Sequence, residues 1–128
     1  MRPRLATSEN MTIDRLIYKI SPRAEWDEAV TAGRFLGAAV DLADGYIHFS
    51  AAEHVAETAA KHFRNQPDLV LIAVDVVALG ADLKWEPSRG GALFPHLYAA
   101  LDVGHARAIY ELPLGPDDIP QIPEGLET

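Results

Sequence analysis

From Leu69 to Val77 the chain is apolar and rich in β-branched residues, with Asp75 the single charged position. That pattern predicts a central strand covered on both faces, with Asp75 at its exposed end. Leu16-Ile17-Tyr18-Lys19-Ile20 has strand composition, and Ser21-Pro22 supplies an N-cap and first-turn proline for a helix of about eleven residues closing at Gly33. Trp26, Ala29 and Val30 then form the buried stripe of that helix. Arg34 to Gly45 carries no sustained period and predicts a loop. In Tyr46-Ile47-His48-Phe49-Ser50 the alternation turns Tyr46, His48 and Ser50 to one face and Ile47 and Phe49 to the other. Ser50 and Glu53 have capping-box spacing, so a helix follows at once, with Ala52, Val55, Ala59 and Phe63 on its apolar face, until Asn65-Gln66-Pro67 breaks it. Leu83–Pro87, Leu93–Tyr98 and Ala106–Leu112 complete the strands. Two strand–helix units followed only by strands predict an α+β domain over residues 15–114, with surface tails at 1–14 and 115–128.

Composition narrows the function. A hydrophobic share of 48% with 23% charge suits a folded chain of 128 residues and one core. Net charge is −8, and the eleven Lys and Arg are scattered, so neither nucleic acid nor an anionic membrane is an expected partner. No apolar run reaches the ~18 residues of a membrane span, and the first residues lack the apolar core of a signal peptide, from which a cytoplasmic location is expected. The absence of cysteine excludes disulfides, thiolate nucleophiles and Cys-based zinc sites.

The five histidines, at 48, 54, 62, 96 and 105, show no metal-binding spacing, so no metal is expected. No nucleophile elbow, P-loop or dinucleotide fingerprint is present. What remains is His48 beside a helix start, His96 in Phe94-Pro95-His96-Leu97-Tyr98, and the polar set Lys19, Trp85, Glu86 and Arg89. A helix N-terminus near Ser50 and a cation, Arg89, in a Gly-rich loop are candidate attractors for an anionic ligand group. Pro95 argues for an edge or rim strand, which would leave His96 half-exposed beside Tyr98. A histidine so placed near a carboxylate can serve as acid, base or hydrogen-bond donor, and the pattern fits equally a structural histidine with one satisfied hydrogen bond.

Tyr18-Lys19-Ile20, Trp26, Gly45 to Ser50, Leu69 to Asp75, Trp85-Glu86-Pro87 and Phe94 to Tyr98 together resemble the small bacterial family called domain of unknown function 952, over roughly residues 15 to 114. The resemblance implies a fold like that of ADP-ribosyltransferases, a split antiparallel sheet with two helices and NAD in the cleft between its halves. Tyr46 to Ser50 with the following helix is similar to the second motif of RNA 2′-phosphotransferases and poly-ADP-ribose polymerases, and Leu69 to Gly80 resembles the strand and turn that follow in the polymerases. Carried over residue by residue, Lys19 takes the place of the residue on the nicotinamide-side ribose, His48 that of the residue packed on nicotinamide, and His96 that of the glutamate at the transition state. Lys19 stands where the family's first motif has histidine, and a neutral His96 would hydrogen-bond ribose without the charge of a glutamate unless Glu86 or Glu111 reaches the cleft.

The residue pattern and the resemblance together give catalytic candidates His48, His96, Lys19 and Glu86 and cofactor-binding candidates Tyr46, Ser50, Arg89 and Tyr98, and the resemblance implies NAD as the cofactor. Three functions stay open: an enzyme acting at a nucleotide-linked ribose, a binding module for a nucleotide or other anion, and an interaction domain.

Overall fold

The computed structural model describes residues 15–128, the side chain of Arg89 excepted. The expectation for residues 1–14 lies outside the described residues. In chain order the elements are β1 (Leu16–Pro22), α1 (Arg23–Ala32), β2 (Arg34–Phe35), α2 (Ala39–Asp44), β3 (Ile47–His48), β4 (Ser50–Ala51), α3 (Val55–His62), β5 (Leu69–Asp75), α4 (Val76–Leu79), β6 (Leu83–Pro87), β7 (Leu93–Leu97), β8 (Leu101–Asp102) and β9 (Ala106–Leu112). The α+β class holds. The strands form a four-stranded sheet in the order β4-β1-β5-β9, a three-stranded sheet β3-β7-β6 and a two-stranded pair β2-β8, every pairing antiparallel.

β5 is the central strand its composition predicts, because its two faces enter different cores. Val70, Ile72 and Val74 join Ile17, Trp26, Phe35, Ile47, Phe49, Leu97 and Leu101 in one cluster. Leu69, Leu71 and Ala73 join Leu16, Tyr18, Ile20 and the helix residues Val55 and Ala59 in the other. The strand stops at Asp75, whose carboxylate accepts the Val77 N–H at 2.9 Å and caps the short α4, so Val76 and Val77 turn away rather than extend the strand as expected.

The segment 47–51 stitches the two larger sheets together. Ile47 and His48 pair with Leu97 and His96 of β7, the Phe49 N–H donates to the Pro95 carbonyl at 3.0 Å, and Ser50 and Ala51 then pair with Tyr18 and Ile17 of β1. β4 covers β1 only at those two residues. From Lys19 onward β1 has β5 on one side and, among the described residues, no strand on the other, and the sheets part there.

Several expectations are corrected. Ser50 lies in a strand, with its hydroxyl 3.2 Å from that of Thr58, and does not cap a helix; a 3-10 turn at Ala52–His54 intervenes and α3 begins at Val55 without a side-chain cap. Ser21 ends in β1 rather than capping α1, and Val30 is 53% exposed, so the buried stripe of α1 is Trp26 and Ala29. The supposed loop 34–45 contains β2 and α2, which with α4 makes four helices among the described residues instead of two. Pro95 sits in β7, the middle strand of its sheet, and His96 is only 4% exposed rather than half-exposed. Proline is tolerated because β3 runs alongside β7 only at residues 96 and 97, and Pro95 is used there through its carbonyl.

The segment after Gly115 is tied to the body. Ile122 and Leu126 pack on the second core cluster, and the Tyr18 hydroxyl donates to the Glu127 carbonyl at 2.6 Å. Burial, with the nearby Tyr110 and Glu127, pushes the Tyr18 phenol up to about 12. A phenol raised in the folded state stabilises the fold fully below its unfolded value of ~10 and ceases to do so as pH climbs through the folded value. Wild-type protein should therefore lose stability between about pH 10 and pH 12, and Tyr18→Phe should flatten that loss. Circular dichroism across the alkaline range checks this, and identical alkaline profiles for the two proteins would contradict it.

Candidate functional site

Asp41 organises the site, and nothing in the hydrophobic pattern singled it out. It is the third residue of α2, 1% exposed, on a turn held by two glycines with positive φ. At Gly37 a Cβ would fall 2.7 Å from the Asp41 Cβ, and at Gly45, with φ of 89°, the N–H returns to the Asp41 carbonyl at 2.8 Å and closes the helix. The Asp41 carboxylate accepts from Lys19 Nζ at 3.0 and 2.8 Å, from the Ala38 N–H at 2.7 Å and from the His48 N–H at 3.0 Å, and lies 2.6 Å from His48 Nδ1. Burial alone would push this carboxyl up. The bonds from His48, Lys19 and Ala38 outweigh it and hold Asp41 well below the usual carboxylate range. Burial pulls the Lys19 ammonium down from its ordinary value, against the attraction of Asp41.

His48 and His96 are direct cross-strand partners on β3 and β7, with ring centroids 5.4 Å apart and edge to face. Each has a carboxylate behind it. His48 has Asp41 at Nδ1 and Asp44 2.9 Å from Nε2. His96 has Glu86 2.8 Å from Nδ1, and the Tyr98 hydroxyl donates to the same Glu86 oxygen at 2.8 Å. Those two bonds, His96 first, hold Glu86 below its ordinary value, and the Glu86 bond raises Tyr98. A carboxylate only accepts, so the network places a proton on His96 Nδ1 and leaves Nε2 without a hydrogen-bond partner among the described residues. Tyr46 stacks on His96 at 4.2 Å and tilts against His48 at 4.7 Å, clamping both rings.

Both imidazoles open on a cleft of about 560 Å³ where the sheets part. Lys19, Ser50, Thr58, His62, Gln66 and Ser88 also reach it, and Tyr18, Ile20, Phe49, Val55, Phe63 and Phe94 give it an aromatic and apolar wall. Of the residues singled out from sequence, Lys19, His48, Ser50 and His96 thus meet in one cavity. Glu86 stands behind His96 and does not line it. Tyr46 and Tyr98 face a separate depression of about 270 Å³, so they support the histidines instead of lining the cleft. Glu111 is engaged by Arg23 and does not reach the cleft either. The side chain of Arg89 lies outside the described residues. The phosphate attractor expected at Ser50 is absent, since no helix starts there, and the Lys19 charge is taken up by Asp41. Among the described residues no group of His, Asp and Glu could hold a metal ion.

A family model described as a protein of unknown function, DUF952, matches residues 20–109. The chain belongs to the DUF952 family. The crystal structure of protein CC0527 from Caulobacter crescentus is similar at 60% identity, with a TM-score of 0.81 over 83% of this chain and 93% of that one. Its solution NMR structure gives 58% identity and a TM-score of 0.78 over 87% and 96%. No curated protein matches. No described helix is long and apolar enough to cross a membrane. Within this DUF952 domain the signal that could have revealed Asp41 is a local one: an acid flanked by Val40 and Leu42, between Gly37 and Gly45, just ahead of the strand that carries His48. Val40 and Leu42 are exposed and Asp41 is buried, the reverse of what polarity predicts.

Proposed function

We propose that the cleft binds a nucleotide of the NAD or ADP-ribose class, with a ribose at the His48–His96 end and a planar ring against the aromatic wall. The observation that carries this reading is the pair of carboxylate-backed imidazoles, side by side across two strands, in a cleft that also has an aromatic and apolar wall. The Nε2 of His96, fixed in place by the Glu86 bond at Nδ1, suits a sugar hydroxyl, and a cavity of this volume fits the usual range for small-molecule and cofactor sites. The parting of two antiparallel sheets beside β1 supports the likeness to the ADP-ribosyltransferase arrangement.

A second reading, a binding module that does no chemistry, draws on a specific observation: no Asp or Glu is among the described residues lining the cleft. The charge that a transferase sets against an oxocarbenium-like transition state is therefore held one layer back, behind the histidines. Calorimetric titration with ADP-ribose tests the binding that both readings share. Wild-type protein should bind, His96→Ala should weaken binding by about tenfold, as expected for losing a hydrogen bond worth ~1–1.5 kcal/mol, and His48→Ala should also weaken it by removing the ring packed beside His96. Wild-type protein that takes up no ADP-ribose, or variants that bind it unchanged, would overturn the assignment.

A further inference from the structure

We propose that the outer edge of β9 is an interface, and that its occupant is the same edge of a second copy of this chain, paired antiparallel about a two-fold axis at Tyr110. The backbone determines which groups that edge offers. The Arg23 N–H donates to the Asp68 carbonyl at 2.9 Å and the Val76 N–H to the Arg15 carbonyl at 2.8 Å, one beyond each end of the β1–β5 ladder and both in its register. Backbone groups alternate sides along an antiparallel strand, so Val70, Ile72 and Val74 turn theirs to β1, while Leu69, Leu71 and Ala73 turn theirs to β9. The partners they meet there are Leu112, Tyr110 and Ala108. Ile109 and Glu111 therefore direct their N–H and C=O groups away from the sheet, and no described backbone group bonds to them.

The other outer strands of the two larger sheets are short or guarded. β4 is two residues long, and β6 carries Lys84 and ends on Pro87, both common devices against edge pairing. β9 has seven residues with neither lysine nor proline, and Ile109 on it is 44% exposed. Its one irregularity, where Val74 pairs with Ala106 and Ala73 with Ala108, leaves Ala108 to Leu112 regular.

One register suits a partner of the same sequence. An axis at Tyr110 sets Ile109 opposite Glu111 of the second copy, so each outward N–H meets an outward carbonyl. An axis at Ile109 would set Glu111 against Arg107, at the irregularity, and an axis at Glu111 would set Ile109 against Pro113, which has no N–H. The acid nearest the axis is already compensated, since Glu111 holds Arg23, and the chain's charge of −8 does not gather at this edge. Tyr110 meets its own copy at the closer of the two cross-strand spacings, where aromatic pairs add contact. The product is one continuous sheet running β4-β1-β5-β9 and then the same order reversed. β4, beside which the cleft opens, is at the far side from β9, so both clefts stay open.

Sedimentation velocity over a concentration series should show the wild-type mass rising from one chain toward two. Ile109→Pro, which removes an outward N–H and none of the bonds to β5, should hold it at one. The chain has no cysteine, so thiols placed singly report the register. Under mild oxidation Tyr110→Cys should cross-link to itself and Ile109→Cys should not, whereas Ile109→Cys mixed with Glu111→Cys should. Amide hydrogen exchange on wild-type protein decides the matter even where a variant fails to fold. The Ile109 and Glu111 N–H groups should exchange about tenfold or more slowly in concentrated than in dilute samples, while that of Tyr110, bonded to β5, stays protected in both. Wild-type protein that remains one chain throughout, Ile109→Pro that still doubles in mass, or Ile109→Cys that cross-links alone as readily as Tyr110→Cys would overturn the proposal.

Discussion

Asp41→Ala should cost about 3–5 kcal/mol of folding stability, because it leaves the Lys19 ammonium buried without its partner. It also strands the Ala38 and His48 N–H groups that hold α2 against β3. Asp41→Asn should cost less, since the amide oxygen can still accept from one of these donors. Urea unfolding near neutral pH measures both. The wild-type protein carries a matching acid dependence. A carboxyl whose folded value is depressed stabilises the fold above its unfolded value of ~3.9, and that contribution is lost as pH falls below it. Asp41→Ala should show a shallower loss of stability on acidification. A cost under about 1 kcal/mol would mean that Lys19 swings out to water and that Asp41 is not the anchor described above.

Trp26→Ala should be comparably damaging for a different reason. Trp26 is 6% exposed, its ring centroid lies 6.0 Å from that of Phe35, and it belongs to the same core cluster as Ile47, Phe49, Val70 and Leu97. Truncation removes a large apolar surface and leaves a cavity, with an expected loss of about 3–5 kcal/mol. The two effects are distinguishable by their dependence on pH. The Trp26→Ala loss is one of packing and should be nearly constant across the acid range, whereas that of Asp41→Ala should shrink as the wild-type carboxyl protonates. Thermal unfolding at several pH values makes the comparison, and a Trp26→Ala penalty below about 1 kcal/mol would contradict its place in the core.

The parts of this fold that were legible in the sequence are those with enough residues to show a period or an unbroken composition. β5, β6 and β9, and the burial of Trp26 and Ala29, follow from such runs. α2 was not legible because six residues span under two helical turns, and because its one inward residue is charged while its apolar neighbours face solvent. Its place is set by tertiary pairing with Lys19, more than twenty residues earlier in the chain. The same limit applies at Ser50. Its spacing to Glu53 satisfies a capping box, but pairing with Tyr18 holds Ser50 in a strand and the local alternative loses. The histidine pair was half legible: His48 and His96 could each be picked out as polar residues on strands, and only the β3–β7 register shows that they are direct neighbours. The carboxylates behind them divide likewise, with Glu86 visible near His96 in sequence and Asp41 hidden in what resembled a loop.

The central claim is that the histidine pair marks the sugar end of a nucleotide site, and a crystal structure of this protein soaked with ADP-ribose tests it most directly. The account predicts a ribose hydroxyl within hydrogen-bond reach of His96 Nε2, Lys19 still on Asp41, and the ligand lying along the Phe49 and Phe94 wall. A ligand bound elsewhere on the surface, or a cleft that stays empty at saturating ADP-ribose, would contradict it.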